Sequence, residues 1–171
     1  MDNKVILLYD MDRKREWNVF IPSLLSYMIT AGFLMHYLFY NDRESLNITF
    51  MCFVMLLPQI FLHLQYKFHD RNRLIEVNLS DSIIRIFKSN QFLGEFKFED
   101  IKEIIRHRGK LSKSGTTYLP HSYYNHNEIV LINGDRYFFT DFIADDLGIK
   151  GVKIRCRFSF YNFIPSYRTK V

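Results

Sequence analysis

Residues 17–41 and 45–66 contain no Asp, Glu, Lys or Arg, and the polar island FYNDRESLN (residues 39–47) separates them. A helix that is apolar on every side must be surrounded by apolar material. Residues 20–40, FIPSLLSYMITAGFLMHYLFY, would form a helix of about 30 Å, the thickness of a bilayer's hydrocarbon core. The stretch 46–64 is only slightly shorter. The alternative is a pair of buried core helices, but the rest of a 171-residue chain could hardly wrap two helices of that length.

The sequence therefore predicts transmembrane helix 1 over residues 19–40, an outer loop over 41–45 and transmembrane helix 2 over 46–66. A cleaved leader fits poorly, because the apolar run starts late and lacks a small-residue exit. So short a loop permits only an antiparallel hairpin. Lys4, Arg13, Lys14 and Arg15 precede the first span, Lys67, Arg71 and Arg73 follow the second, and the island holds Arg43 alone. The positive-inside rule then places both termini in the cytoplasm, with residues 1–18 as a cytoplasmic N-terminal segment. Cys52 and Cys156 are expected to be reduced there.

Within the first span Ser23, Ser26 and Thr30 share one helical face with Gly32 alongside, a pattern that lets a neighbouring helix approach closely. The second span is the simplest neighbour; a homo-oligomer contact is the other reading. Pro58 is expected to kink the second span, with Gln59 as a local polar partner. Ionisable groups in a span are functional suspects. His36 and His63, however, fall near opposite ends of the hairpin, which argues for interfacial histidines and against a relay.

From about residue 67 the period changes. RLIEVNL, SIIRIFK and FLGEFKFED read as a β-meander, IKEIIRHRG as a further strand, and EIVLI-NGDR-YFFTDFI as a hairpin turned by Asn133-Gly134. DFIADDLG reads as one or two helical turns closed by Gly148. Residues 109–127 form a long loop with His121 and His126. Their spacing, with no Cys or acidic ligand alongside, does not make a metal site.

In the tail, Lys153, Arg155 and Arg157 alternate with Ile154, Cys156 and Phe158, the pattern of a strand with one basic face. A short helix lying on a membrane surface is the alternative. The net charge of the chain is +5 and the positive excess lies in residues 67–171. Lys150, Lys153, Arg155, Arg157, Phe158 and Tyr161 are thus the candidate contacts for an anionic leaflet or a partner protein. The bases are spread and no nucleic-acid motif accompanies them, so no nucleic acid is expected.

Two apolar spans, a meander, FEDIKEI (98–104) and EIVLINGDRYFFTDFIADDL (128–147), in that order, resemble bacterial two-span membrane proteins with a pleckstrin-homology-like domain, including the YcxB-like group. The resemblance implies an α+β membrane protein: an N-terminal transmembrane hairpin followed, over residues 67–171, by a small, mostly-β cytoplasmic barrel or sandwich. The family usually ends in a helix, whereas the tail from Val152 reads here as a strand. Such domains are binding and scaffolding modules.

No Ser-His-Asp arrangement, phosphate-cradling glycine loop or metal set is present in the sequence, so catalysis and cofactors are not expected. The expected role is a non-enzymatic module of the inner membrane for a protein partner or an anionic lipid surface. The alternative is a membrane-resident immunity or inhibitor protein, or an accessory subunit of a transport or secretion complex. Two spans without a buried acid–base pair make a poor conduit alone.

Overall fold

The computed structural model describes residues 5–109, 123–159 and 162–164, apart from the side chains of Pro22, Ser23 and Leu25. Among the described residues eight strands and two long helices follow one another as β1 (Ile6–Asp10), α1 (Arg13–Tyr40), α2 (Arg43–Asp70), β2 (Arg73–Asn78), β3 (Ile83–Lys88), β4 (Gln91–Lys97), β5 (Ile101–Gly109), β6 (His126–Leu131), β7 (Arg136–Thr140) and β8 (Ile154–Ser159). The strands form two sheets, in the orders β1-β2-β3-β4 and β7-β6-β5-β8.

The expected N-terminal segment, described from residue 5 onward, is not separate from the β domain. Ile6–Asp10 pairs antiparallel with β2, Ile6 opposite Asn78 and Asp10 opposite Leu74, and α1 begins at Arg13. The helical hairpin is therefore an insertion between two adjacent strands of one sheet. Its two legs enter and leave the β structure side by side, which ties the hairpin to the sheet at both feet.

Each helix starts on an aspartate. Asp12 accepts the Lys14 amide hydrogen, and Asp42 accepts those of Glu44 and Ser45, satisfying donors that the first turn leaves open. Asn41, with φ of 52°, closes α1 in the left-handed conformation that Asn tolerates. The connection over 41–45 thus shrinks to Asn41 and Asp42, and α2 reaches beyond residue 66 to Asp70. Pro58 does not break α2, which runs through it. The bend lies in α1, at 50° between Arg13–Ile21 and Ser26–Tyr40. The intervening stretch contains Pro22, which lacks the amide hydrogen an unbroken helix uses.

The meander β2-β3-β4 follows the expected registers, with a bulge between Ile86 and Phe87. In the hairpin β6-β7 only Gly134 takes a positive φ, 90°, while Asn133 does not; Gly134 donates to the Leu131 carbonyl. Residues 141–148 make a single turn after β7 and not a helix.

The inner faces of the sheets meet in one core. Ile75, Val77, Ile84, Ile86 and Phe96 from the first sheet pack with Ile104, Ile129, Leu131, Tyr137 and Phe139 from the second. A second cluster, Leu62, Tyr66, Tyr124, Phe138, Phe142 and Ile164, docks the last turns of α2 onto the opposite face of the second sheet.

By length and composition α2 is long and apolar enough to cross a membrane, and α1 is so when its two bent arms are taken together. Gly32 is exposed, and a Cβ there would meet nothing within 4 Å. It is therefore not a point of close approach to α2. Thr30 donates its hydroxyl back to the Ser26 carbonyl, 2.9 Å away within α1, which leaves neither group available to α2 through that bond. Ser23 lies outside the described side chains.

Candidate functional site

The feet of the hairpin and the adjoining ends of β1 and β2 enclose a cleft of about 660 Å³. The side chains around it are Asp10 from the end of β1, Arg13, Glu16, Trp17 and Phe20 from α1, His63 and Lys67 from α2, and Arg71 and Arg73 at the start of the first sheet's return. The bases Arg13, Lys67, Arg71 and Arg73 face the acids Asp10 and Glu16, a surplus of two positive charges. Glu16 is already engaged: Lys67 Nζ donates to it at 2.8 Å and His63 Nε2 lies 3.3 Å away. Among the described residues neither Arg13 nor Arg71 makes an ion pair or a side-chain hydrogen bond.

Arg73 forms the buried back of this region. Its Nη1 donates to the Phe138 carbonyl at 2.5 Å and lies 3.0 Å from His69 Nε2, and its Nε is buried without a hydrogen-bond partner. Burial pulls the Arg73 guanidinium below its ordinary value, and Asp70 opposes this. Asp70 is itself fully buried. It accepts from the Thr140 amide at 3.2 Å and from the Thr140 hydroxyl. On the other leg, the Asp12 amide donates to the Phe142 carbonyl at 3.0 Å. Both legs are thus bonded to the same short stretch at the end of β7, from Thr140 to Phe142.

Beside this junction runs a row of polar groups on the outer face of the second sheet. His126 is buried, with Nδ1 3.0 Å from the Tyr66 hydroxyl and its ring stacked on His107 at 4.3 Å between centroids. Burial first, and His107 second, push its imidazole down to about 3, so it is neutral at physiological pH. Burial raises the Glu128 carboxyl, but hydrogen bonds with His107 and Arg136 outweigh it and leave the group below its ordinary value. No group of three or more His, Cys, Asp or Glu among the described residues is arranged to hold a metal ion. His121 lies outside the described residues.

The tail is a strand, not a membrane-lying helix. β8 runs parallel to β5, with Ile104 opposite Ile154 and His107 opposite Arg157. It is an edge strand exposed on both faces. Period two puts Arg155 and Arg157 on the side of Ile105 and His107, the face against which α2 docks, and Lys153 shares their parity. Phe158 points to the other side. Lys150 is exposed in the preceding loop, and Tyr161 lies outside the described residues. The structure does not bring this basic strand together with the cleft.

The cleft was missed as a site in the sequence. Its signal is the set of bases flanking the two apolar runs, Arg13 before the first and Lys67, Arg71 and Arg73 after the second, whose convergence depends on the fold.

A PH domain family model matches residues 8–150, from within β1, through the hairpin, to the end of the turn region before β8. The chain belongs to the PH domain family. In this PH domain the helical hairpin lies inside the matched region, and β8 lies beyond it. Comparison with curated proteins and with solved structures returns no match. PH domains are binding modules for lipids or proteins, and two packed β sheets here agree with that fold.

Proposed function

We propose that this PH domain is a membrane-tethered binding module without catalytic activity, held by its inserted hairpin with both termini on the cytoplasmic side. The observation that carries the reading is the exposure of the hairpin. Met28, Phe39, Phe50 and Met55 are 70%, 75%, 67% and 69% exposed, and Leu38, Met51 and Phe61 are also largely uncovered. Leaving a large apolar side chain in water forfeits about 1.5–3 kcal/mol. Seven of them would cost roughly 10–20 kcal/mol, as much as the whole stability of a domain at about 5–15 kcal/mol. Lipid removes that cost.

The binding surface we assign is the anionic leaflet beside the hairpin, met by Lys153, Arg155 and Arg157, which share the hairpin's side of the second sheet. Each base near an anionic leaflet contributes on the order of 1 kcal/mol. The test is fractionation of the intact chain followed by purification with and without detergent. Retention in the membrane pellet and aggregation on detergent removal support the reading. A monodisperse protein in plain buffer overturns it. Flotation of the Arg155→Glu/Arg157→Glu variant, reconstituted in anionic and neutral liposomes, then probes leaflet docking through protection of β8 from proteolysis. Equal protection in wild type and variant removes these bases from the function.

A further inference from the structure

The last turns of α2 and the outer face of the second sheet form a pocket that a segment of the tail fills. Gln65 and Tyr66 follow Leu62 by one helical turn and share its side of α2, and Leu62 and Tyr66 pack with Tyr124, Phe138 and Phe142. All of these residues precede residue 150, where the match to the PH domain family ends. The occupant comes from beyond that limit: Ile164, only 3% exposed, sits in the same cluster.

The tail is held there as a receptor holds an extended peptide. Asn162 and Ile164 are buried while Phe163 between them is 45% exposed, so alternate side chains point in and out. The Gln65 side chain donates an amide hydrogen to the Ile164 carbonyl at 2.8 Å and accepts the Ile164 amide hydrogen at 3.0 Å. Those are the two bonds that a paired residue of a neighbouring strand would make. The Tyr66 hydroxyl donates to the Asn162 carbonyl at 2.7 Å, and the Asn162 side chain donates to the Tyr124 carbonyl at 3.0 Å. Backbone bonds of this kind give affinity, and the side-chain positions give selectivity.

The fit of the tail is incomplete. Asn162 Oδ1 is buried with no hydrogen-bond partner, which costs stability. The tail reaches the pocket from β8, all of whose residues are exposed, so that strand adds backbone bonds to β5 but no buried side chain. An occupant without the stranded oxygen binds better than the tail does. The tail of a second copy brings the same oxygen and gains nothing over the tethered one.

We propose that this pocket is a peptide-recognition site, that Asn162–Ile164 occupies it as a tethered ligand, and that an extended segment of a partner protein displaces the tail. The partner segment carries a branched apolar residue two positions after a hydrogen-bond donor. Neither the bilayer nor the bases of β8 enter into this recognition.

A tethered ligand competes at an effective concentration on the order of millimolar, so the pocket has to be emptied within the chain before a free peptide reports on it. The full chain is purified in an uncharged detergent as wild type and as Ile164→Asp, which would bury an unpaired carboxylate. A fluorescein-labelled peptide of residues 158–166, FSFYNFIPS, is titrated into both and followed by anisotropy. Saturable binding to the variant, at least about tenfold tighter than to wild type, is expected. Gln65→Leu in the Ile164→Asp chain should weaken it about tenfold by removing both backbone bonds, and the same peptide with Ile164→Asp should not bind. No saturable binding to the emptied chain, equal binding to wild type and variant, or an undiminished response in the Gln65→Leu chain overturns the proposal. If Ile164→Asp loses its thermal transition, Ile164→Ala gives the same comparison with a smaller difference. Exchange of tails between copies of the wild-type chain, seen as a dimer by light scattering, assigns the pocket to a second copy and overturns the partner assignment.

Discussion

The carboxylate of Asp70, at the last turn of α2, is fully buried and accepts both the amide and the hydroxyl hydrogen of Thr140 at the end of β7. His69 Nδ1 lies 2.7 Å from its other oxygen. The last turn of α2 and the second sheet are joined there by a carboxyl group that water cannot reach, near the buried Arg73.

Asp70→Ala removes the acceptor and leaves Arg73 buried without the carboxylate that favours its charge, so the β domain should lose about 3–5 kcal/mol. Thr140→Val removes only the hydroxyl donor and should cost about 1–2 kcal/mol. Denaturant unfolding in an uncharged detergent, followed by near-ultraviolet circular dichroism, measures both. Equal losses for the two variants would show that the charge of Asp70 contributes nothing beyond its bond to the hydroxyl.

Two buried groups give stability an opposed dependence on pH. The His126 imidazole, lowered to about 3 by burial and by His107, is neutral in the folded chain between pH 3 and 6.5 while the unfolded chain binds a proton. Its contribution is therefore complete above pH 6.5 and is lost on acidification, by about 2 kcal/mol between pH 7 and 5. Asp141 is raised by burial to about 6, against the pull of Arg108. The folded chain takes up that proton first, so stability rises as pH falls from 6 towards 4, by about 1 kcal/mol at pH 5. His126→Phe should remove the acid loss, and Asp141→Asn should steepen it. Unfolding curves of the three proteins at pH 5 and 7 decide the matter; parallel shifts in all three would contradict both assignments.

Gly94 in β4 faces the ring of Tyr137. An added Cβ would sit 2.9 Å from the hydroxyl oxygen and 3.5 Å from the ring carbon that bears it, while the ring itself is stacked on Phe96 at 5.0 Å. Gly94→Ala should cost about 1–3 kcal/mol through overpacking. Tyr137→Phe in the same chain removes the clashing oxygen and should restore most of the loss. A double-mutant cycle by thermal unfolding reads the coupling, and simple additivity would rule out this contact as the cause.

Gly32 presents open space where close helix packing was expected. Gly32→Ala should leave hairpin stability unchanged or raised by up to about 1 kcal/mol from helix propensity. Loss of stability in the variant would place α2, or a second copy of the chain, against that face; crosslinking in detergent distinguishes these two.

Much of the architecture was legible from local pattern. The uncharged runs marked both helices, and short runs rich in Ile, Val, Phe and Tyr between turn residues marked strands β2 to β7. The alternation of Lys153, Arg155 and Arg157 with Ile154, Cys156 and Phe158 pointed to a strand but left a membrane-lying helix open, and the pairing of β8 with β5 decided between them. Element ends were less legible: Asp42 and Asp70 are polar and look like loop residues, yet one caps a helix and the other is buried inside the fold.

By itself the sequence determined which segments become helices and strands, because period and apolar length act between near neighbours along the chain. Only the tertiary structure decided that Ile6–Asp10 closes onto β2 across the whole hairpin, that Arg13 and Arg71 converge from opposite legs, and that Arg155 faces the hairpin's side of its sheet. Those relations depend on register between segments tens of residues apart, set by the shared core of both sheets and by buried bonds such as that of Asp70 with Thr140. No local periodicity encodes such a register.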